Sequence, residues 1–155
     1  MKQRNTSLRP VLAILAFALP ASAGELFVVD DDGGPGVDFT TIQEAVDQAS
    51  DGDGVLVRDG RYDGFSIVAK SLTIVGAPGA LVQNDPFVEG VPVVEVRNLG
   101  ITQRVILRGI DVDARDPATP FFTEDVPPAL LVADCLGVVW IEDLALQGSN
   151  LSLIH

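Results

Sequence analysis

Apolar residues follow two different periods along this chain, and the change of period predicts its elements. Between residues 42 and 49 they recur at i, i+3, i+4 and i+7, the stripe of a short amphipathic helix: Ile42, Ala45, Val46 and Ala49. From Val55 onward the spacing is two, which is typical of strands with one buried face. The pattern predicts one helix over 42–49, followed by many short strands separated by Gly turns.

The residues around this helix predict how it begins and ends. Thr41 and Glu44 have the spacing of a capping box, and Gly52 follows where a left-handed terminator is favoured. A helix this short is not stable alone, so we expect it to lie on an apolar surface.

The strand segments form sets that resemble one another. There are three such sets, and the third repeats the second. Its first strand lies 36 positions after the first strand of the second set, and its next two strands lie 34 positions after theirs. Asn98 and Asp134 occupy matching turn positions, where side chains that tolerate a left-handed backbone are favoured. Three weak repeats predict a solenoid, in which no repeat buries its own apolar face. The sets are Phe65, Ile67, Leu72, Ile74 and Leu81; Val94, Val96, Val105, Leu107, Ile110 and Val112; and Leu130, Val132, Val139, Ile141, Leu144 and Leu146.

Two Pro-rich segments, 84–92 and 114–128, precede the first strand of successive sets. Pro cannot donate to a strand ladder, so both are predicted to be loops. Because they occupy the same station in each repeat, they should leave the stack at the same edge. Long loops on a rigid scaffold often carry binding residues.

Residues 1–23 have the form of a secretory signal peptide. Lys2, Arg4 and Arg9 precede an uncharged apolar run from Val11 to Leu19, and Ala21-Ser22-Ala23 is a small-residue cleavage site. The run is shorter than the roughly 20 residues of a bilayer span. We therefore expect a secreted protein, extracellular or periplasmic, with no membrane insertion after signal removal.

The remainder of the chain is strongly acidic. All 22 acidic residues and only 7 of the 10 basic ones lie beyond Ala23, which gives that part a formal charge of −15. Such a surface repels phosphate backbones and anionic lipid, so nucleic acid and membrane partners are not expected. It is compatible with divalent cations or neutral sugars.

Cysteine and histidine chemistry is limited by their number. Cys135 is the only cysteine, which excludes an intrachain disulfide, and it lies in an apolar segment as a small buried residue would. The one histidine is the terminal His155, so a Cys-His or Ser-His pair on a structured element is not expected.

The segment from Asp38 to Asp47, with Gly52 to Val57 and Lys70 to Gly76, resembles the opening of the pectin-lyase-like superfamily, which includes pectinesterases. In that family an "FTTIQEAVD" helix covers the first coil and a "SLTIVG" strand follows. Residues 138–146 resemble an internal coil of such proteins. The resemblance implies an all-β, right-handed parallel β-helix with a short N-terminal capping helix. It implies little about function, because the same opening occurs in enzymes and in surface proteins.

After the signal peptide over 1–23, the resemblance suggests an N-terminal cap over 24–54 and β-helix coils over 55–155. Leu151, Leu153 and Ile154 look like the beginning of a further coil with no polar closing repeat after it. The expectation is an N-terminal part of a longer protein. The alternative is a last coil that dimerises or is covered by a partner.

The most site-like carboxylates are Asp111, Asp113 and Asp116, with Arg104 and Arg108 nearby. If Val112 points inward, Asp111 and Asp113 share the outer face about 7 Å apart. Such a pair can bind Ca²⁺ or act as acid and base, so these residues are the candidate metal site and Ca²⁺ the only candidate cofactor. The other interpretation is a solvated strand face leading into a loop.

Aromatic residues suggest a second candidate surface. Trp140 has the opposite parity to Val139 and Ile141, which predicts that it is exposed. With Phe87, Phe121 and Phe122 it would form a platform for a carbohydrate, although loop aromatics more often anchor the loop to its scaffold.

Three functions remain open, one of which is adhesion stabilised by Ca²⁺ at Asp111 and Asp113. The first is a secreted β-helical module with a binding or structural role at a cell surface or on polysaccharide, with no catalytic site in this chain. The alternative is the N-terminal part of a carbohydrate esterase or polysaccharide lyase whose active site lies beyond residue 155. Pectinesterases carry paired Asp, Gln and Arg on one exposed strand face, but their Gln-Ala-Val-Ala-Leu-Arg and Gln-Asp-Thr-Leu stretches do not occur here. No catalytic residue is therefore predicted, and the oligomeric state stays open.

Overall fold

The computed structural model describes residues 24–83, 91–114, 128–147 and 151–154. The predicted signal peptide, most of both Pro-rich loops, and Asp116, Phe87, Phe121, Phe122 and His155 lie outside the described residues. The described elements are β1 (Leu26–Val29), α1 (Ile42–Gln48), β2 (Asp53–Val57), β3 (Gly60–Asp63), β4 (Phe65–Val68), β5 (Leu72–Gly76), β6 (Ala80–Gln83), β7 (Val94–Arg97), β8 (Arg104–Arg108), β9 (Asp111–Asp113), β10 (Leu130–Ala133), β11 (Val138–Glu142), β12 (Ala145–Gln147) and β13 (Leu151–Ile154).

The strands form three parallel sheets that the chain visits in rotation. Sheet A has the order β1-β2-β5-β8-β11, sheet B β12-β9-β6-β3, and sheet C β13-β10-β7-β4. From β2 onward each passage through A, B and C makes one round, and each strand pairs in parallel with the strand three places later in the chain. The fold is mostly β with one short helix in its described part, and it is compatible with an all-β parallel solenoid.

The strand register stacks like residues on one another, as the repeat analysis predicted. Val94 pairs with Leu130 and Val105 with Val139, which confirms the displacements of 36 and 34. Inward residues of all three sheets pack into one core. One predicted position is wrong: Leu81 lies opposite Asp111 on the outer face, and the buried residues of β6 are its neighbours Ala80 and Val82.

Helix α1 covers the amino end of this core. It packs against β1, β2 and β4, and its buried residues are Ile42, Ala45 and Val46. The Thr41 side chain accepts a hydrogen bond from the Glu44 amide at 3.2 Å, which confirms the predicted N-cap. The predicted terminator is wrong, because the helix ends at Gln48 with an extended C-cap at Ala49, and the left-handed Gly52 belongs to the following turn.

The turn between sheets C and A repeats a left-handed residue from round to round. Ala69, Asn98 and Asp134 follow register-matched strands and have φ angles of 49°, 58° and 53°. The amides of Ala69 and Asn98 donate to carbonyls of the next round, those of Arg97 and Ala133. This confirms the predicted match between Asn98 and Asp134.

Candidate functional site

Trp140 lies on the outer face of sheet A and is 60% exposed, as its parity predicted. It belongs to β11, the last described strand of that sheet, and it pairs with the half-buried Ile106 of β8. Further along the same row lie Thr73 and Gly54. A large aromatic ring is therefore held on a regular strand beside small and apolar neighbours.

Charged side chains border Trp140 on the same face. Arg104 and Arg108 are exposed at the two ends of β8, and Glu142 pairs with Arg108 in the register. The Arg108 Nε lies 3.6 Å from a Glu142 carboxylate oxygen and 3.8 Å from one of Asp143. Ion pairs this exposed contribute little to stability, so these groups remain accessible to a ligand. We call Trp140, Ile106, Arg104, Arg108 and Glu142 the Trp140 face.

Asp111 and Asp113 share the outer face of sheet B, because Val112 between them is buried. The register places Asp113 between Gln83 and Gln147, and Asp111 between Leu81 and Ala145. Among the described residues no group of three or more His, Cys, Asp or Glu could hold a metal ion. The third candidate, Asp116, is outside that part, so calcium binding stays a prediction.

Carboxylates near the amino end form hydrogen bonds that tie neighbouring segments together. Asp30 accepts from the Arg58 guanidinium at 3.0 Å, and Asp31 accepts from the Arg61 amide at 2.9 Å. Some of the acidic residues in the sequence therefore have a structural role.

Beside this region an open groove of about 520 Å³ lies between residues 33–40 and α1, with Asp38, Glu44 and Asp47 in its lining. The sequence does not predict this groove, because its lining residues come from a loop and a helix that share no common spacing or motif.

Tyr62 is a buried titratable group beneath the same carboxylates. Its hydroxyl donates to the Arg58 carbonyl at 3.0 Å. Burial raises the pKa of Tyr62 above its ordinary value, and the negative charges of Asp31, Asp30 and Asp59 raise it further. A backbone hydrogen bond involving Asp31 acts in the opposite direction.

This raised pKa predicts a loss of stability in alkali. The folded state holds the Tyr62 proton more tightly than the unfolded chain, so its contribution is complete below pH of about 10 and is lost as the pH rises toward the folded pKa. We expect the free energy of unfolding of the wild type, measured in urea, to fall relative to that of Tyr62→Phe above that pH. At neutral pH, Tyr62→Phe should cost about 1 kcal/mol from the lost hydrogen bond. If the free energies of unfolding of wild type and Tyr62→Phe differed by the same amount at every pH, the raised pKa of Tyr62 would be contradicted.

Cys135 is half-buried and packs against the core, with its Sγ 3.6 Å from the Val96 carbonyl oxygen.

In the described ranges no helix is long and apolar enough to cross a bilayer. Comparisons of the chain with protein-family models, with curated proteins and with solved structures found no match.

Proposed function

We propose that this protein is a secreted, right-handed parallel β-helical module that resembles the pectin-lyase-like superfamily and binds polysaccharide through the Trp140 face. The form of residues 1–23 supports export. The rotation of the chain through three parallel sheets and the helix over the amino end support the β-helix. The observation that carries the binding function is the 60% exposure of Trp140 on a regular strand.

The chemistry of the Trp140 face suits a sugar chain. An indole offers an apolar face and one N–H donor, and an apolar sugar surface can stack on the first while a hydroxyl accepts from the second. Arg104 and Arg108 supply donors, and Glu142 supplies acceptors for further hydroxyls. Binding sites of this kind combine an apolar surface with a few polar groups that fix orientation.

The charge of the chain selects among polysaccharides. The formal charge of −15 beyond Ala23 disfavours an anionic polymer at long range, so a neutral polysaccharide is the expected ligand. Strands β8 and β11 pair in parallel from Arg104 to Arg108, which holds the aromatic and charged groups on one face before the ligand arrives. Pre-organisation of this kind lowers the entropy lost on binding.

Trp140 is the single tryptophan, so its fluorescence reports on the proposed site directly. Titration with soluble xylan, β-glucan or galactomannan should change its emission with at least one of them. Affinity electrophoresis should then show that Trp140→Ala binds that polymer at least about tenfold more weakly, a loss of about 1.4 kcal/mol or more.

Leu26→Ala is the matched control, because Leu26 is 62% exposed at the opposite edge of the same sheet. It should bind as the wild type does. Equal binding by Trp140→Ala and wild type would contradict the proposed site, and binding of polygalacturonate alone would contradict the preference for neutral polymers.

The alternative function is a carbohydrate esterase or lyase, which the sequence predicts to have its active site beyond residue 155. One observation favours an esterase site within the described residues instead. The Gln83, Asp113 and Gln147 positions form one row on sheet B, with Asp111 two residues along its strand. Amide donors beside a carboxylate are groups that acyl transfer uses. Release of methanol from methyl-esterified pectin that disappears in Asp113→Asn would favour this alternative over a binding module.

A further inference from the structure

The outer face of sheet A differs in charge from the rest of this acidic chain. Outward residues alternate with buried ones along β2, β5 and β8, and none of these outward residues is acidic. On sheet B, by contrast, both outward residues of β9 are aspartates, and β3 ends at the exposed Asp63. The outward residues of the three strands of sheet A are Gly54, Leu56, Thr73, Val75, Arg104, Ile106 and Arg108.

The strand register aligns outward residues into rows that cross the strands. One row runs from Trp140 over Ile106 and Thr73 to Gly54, with one residue on each strand. Neighbouring strands lie about 4.8 Å apart, so the positions of this row repeat at that distance. One sugar ring in an extended chain has a similar length. A linear polysaccharide that crosses the strands can therefore place one ring on each position.

The row has a defined end at Gly54. A Cβ atom placed on Gly54 would lie 3.1 Å from the Leu26 Cδ1, so the Leu26 side chain occupies the space over this glycine. Leu26 therefore closes the row on the side away from Trp140. The positions that remain for sugar rings are those of Trp140, Ile106 and Thr73.

Groups that form hydrogen bonds with hydroxyls lie in this row and on both sides of it. Arg104 and Arg108 are exposed on β8, each about 7 Å along the strand from Ile106, and their guanidinium groups are donors. The Thr73 hydroxyl can donate and accept. Thr73 and Ile106 are half-buried, so they lie low on the sheet. The row thus offers apolar surface to ring faces and polar groups to ring edges.

On the basis of the polysaccharide function proposed above, we propose that the ligand is an unbranched neutral chain that crosses the strands of sheet A. Its successive rings lie on Trp140, Ile106 and Thr73. A carboxylate beneath a ring would lose its water, so a row without carboxylates suits uncharged rings. A branch on the ring over Ile106 would meet Arg104 at one edge or Arg108 at the other. Unsubstituted rings fit between them.

The test is how affinity depends on the length of the sugar chain, measured by Trp140 emission in the full chain. The probes are linear xylo-, cello- and manno-oligosaccharides of one to six rings. For at least one series the dissociation constant should fall about tenfold or more between one ring and three, and by less than about twofold beyond three. Branched oligosaccharides of the same backbone, from arabinoxylan, xyloglucan or galactomannan, should bind about tenfold more weakly.

Thr73→Glu tests the third position. It places a charged side chain beneath the third ring, so the gain from that ring should vanish, while affinity for the disaccharide stays within about twofold of the wild type. Thr73→Gln is an uncharged second variant, which should lose most of the same gain if Thr73→Glu does not fold. Val68→Glu is the matched control, because Val68 is 47% exposed in β4 on the outer face of sheet C. It should leave every affinity unchanged.

The orientation would be wrong if Thr73→Glu kept the full gain from the third ring, since a chain along β11 would contact Val138 and Glu142 instead. Affinity that does not depend on length, or equal binding of branched and linear chains, would also overturn the proposal. Each of these results leaves the polysaccharide function in place as long as Trp140→Ala weakens binding. Equal binding by Trp140→Ala and wild type, or no emission change with any series, would contradict both.

Discussion

Replacing Ile74 by Ala should lower the free energy of unfolding by about 3 kcal/mol, within the range of about 2–5 kcal/mol observed for such core truncations. Ile74 is 0% exposed and lies between Val55 and Leu107 in the central row of sheet A. Its neighbours belong to different rounds and are held by strand pairing, so they cannot collapse fully into the space. The loss therefore includes both the transfer of the removed atoms and the cavity left behind. Urea denaturation followed by circular dichroism measures it.

Val75→Ala provides the matched control on the same strand. Val75 is half-buried on the outer face, opposite Leu56 and Arg108, so its truncation should cost less than about 1 kcal/mol. The contrast between adjacent residues tests which face of β5 is inside. Equal costs for the two variants would mean that the assigned faces are wrong.

The strands that could be predicted from sequence are those with two aliphatic residues in alternation. Period-two spacing identified β5, β7, β8 and β11, and the displacement of 34 positions between sets correctly predicted how β8 pairs with β11. The same parity argument correctly predicted that Trp140 is exposed. These predictions depend only on local alternation and on repetition, both of which can be read from the chain.

Other strands could not be predicted because their sequences lack that signal. In β3 the residues are Gly60, Arg61, Tyr62 and Asp63, with one apolar side chain facing the core. In β6 three apolar residues are consecutive, so parity cannot choose between Leu81 and its neighbours. Leu81 pairs with Asp111 on the neighbouring strand, and this pairing places Leu81 on the outer face with it. Long-range pairing decided both cases.

The candidate site shows the same division. Asp111 and Asp113 were correctly placed on one face, because two positions of equal parity on a strand must share it. The neighbours Gln83 and Gln147 were not found, since they come from strands about 30 positions away along the chain and carry no motif. Aligning the third strands of the three sets, β6, β9 and β12, in the predicted register would place Gln83, Asp113 and Gln147 in one row.

Asp53 is the residue whose structural role was hardest to predict from the sequence. It stands in Asp51-Gly52-Asp53-Gly54, which reads as a turn, yet it begins β2 and is only 8% exposed. One carboxylate oxygen accepts from the Glu25 amide at 2.7 Å and the other from the Ser50 amide at 2.7 Å. It thereby joins the segment before β1 to Ser50, two residues beyond the end of α1.

Removing this carboxylate should have the second large effect. Hydrogen bonds to a charged group contribute about 1.5–3 kcal/mol each, and Asp53→Ala removes two and leaves their amides without an acceptor, so we expect a loss of about 3 kcal/mol. Asp53→Asn keeps one acceptor oxygen and turns an NH₂ toward the other amide, so its cost should be large but smaller. Urea denaturation again gives the free energies.

Asp63→Ala controls for the loss of a negative charge, because Asp63 is exposed at the end of β3 and its removal should change stability by less than about 0.5 kcal/mol. If Asp53→Ala were as mild as Asp63→Ala, the carboxylate would be an ordinary turn residue. If instead Asp53→Ala destabilises while retaining the strand content, β1 and α1 depend on one buried acceptor. The helix that covers the amino end is then positioned by a hydrogen-bonded carboxylate as well as by the apolar stripe of Ile42, Ala45 and Val46.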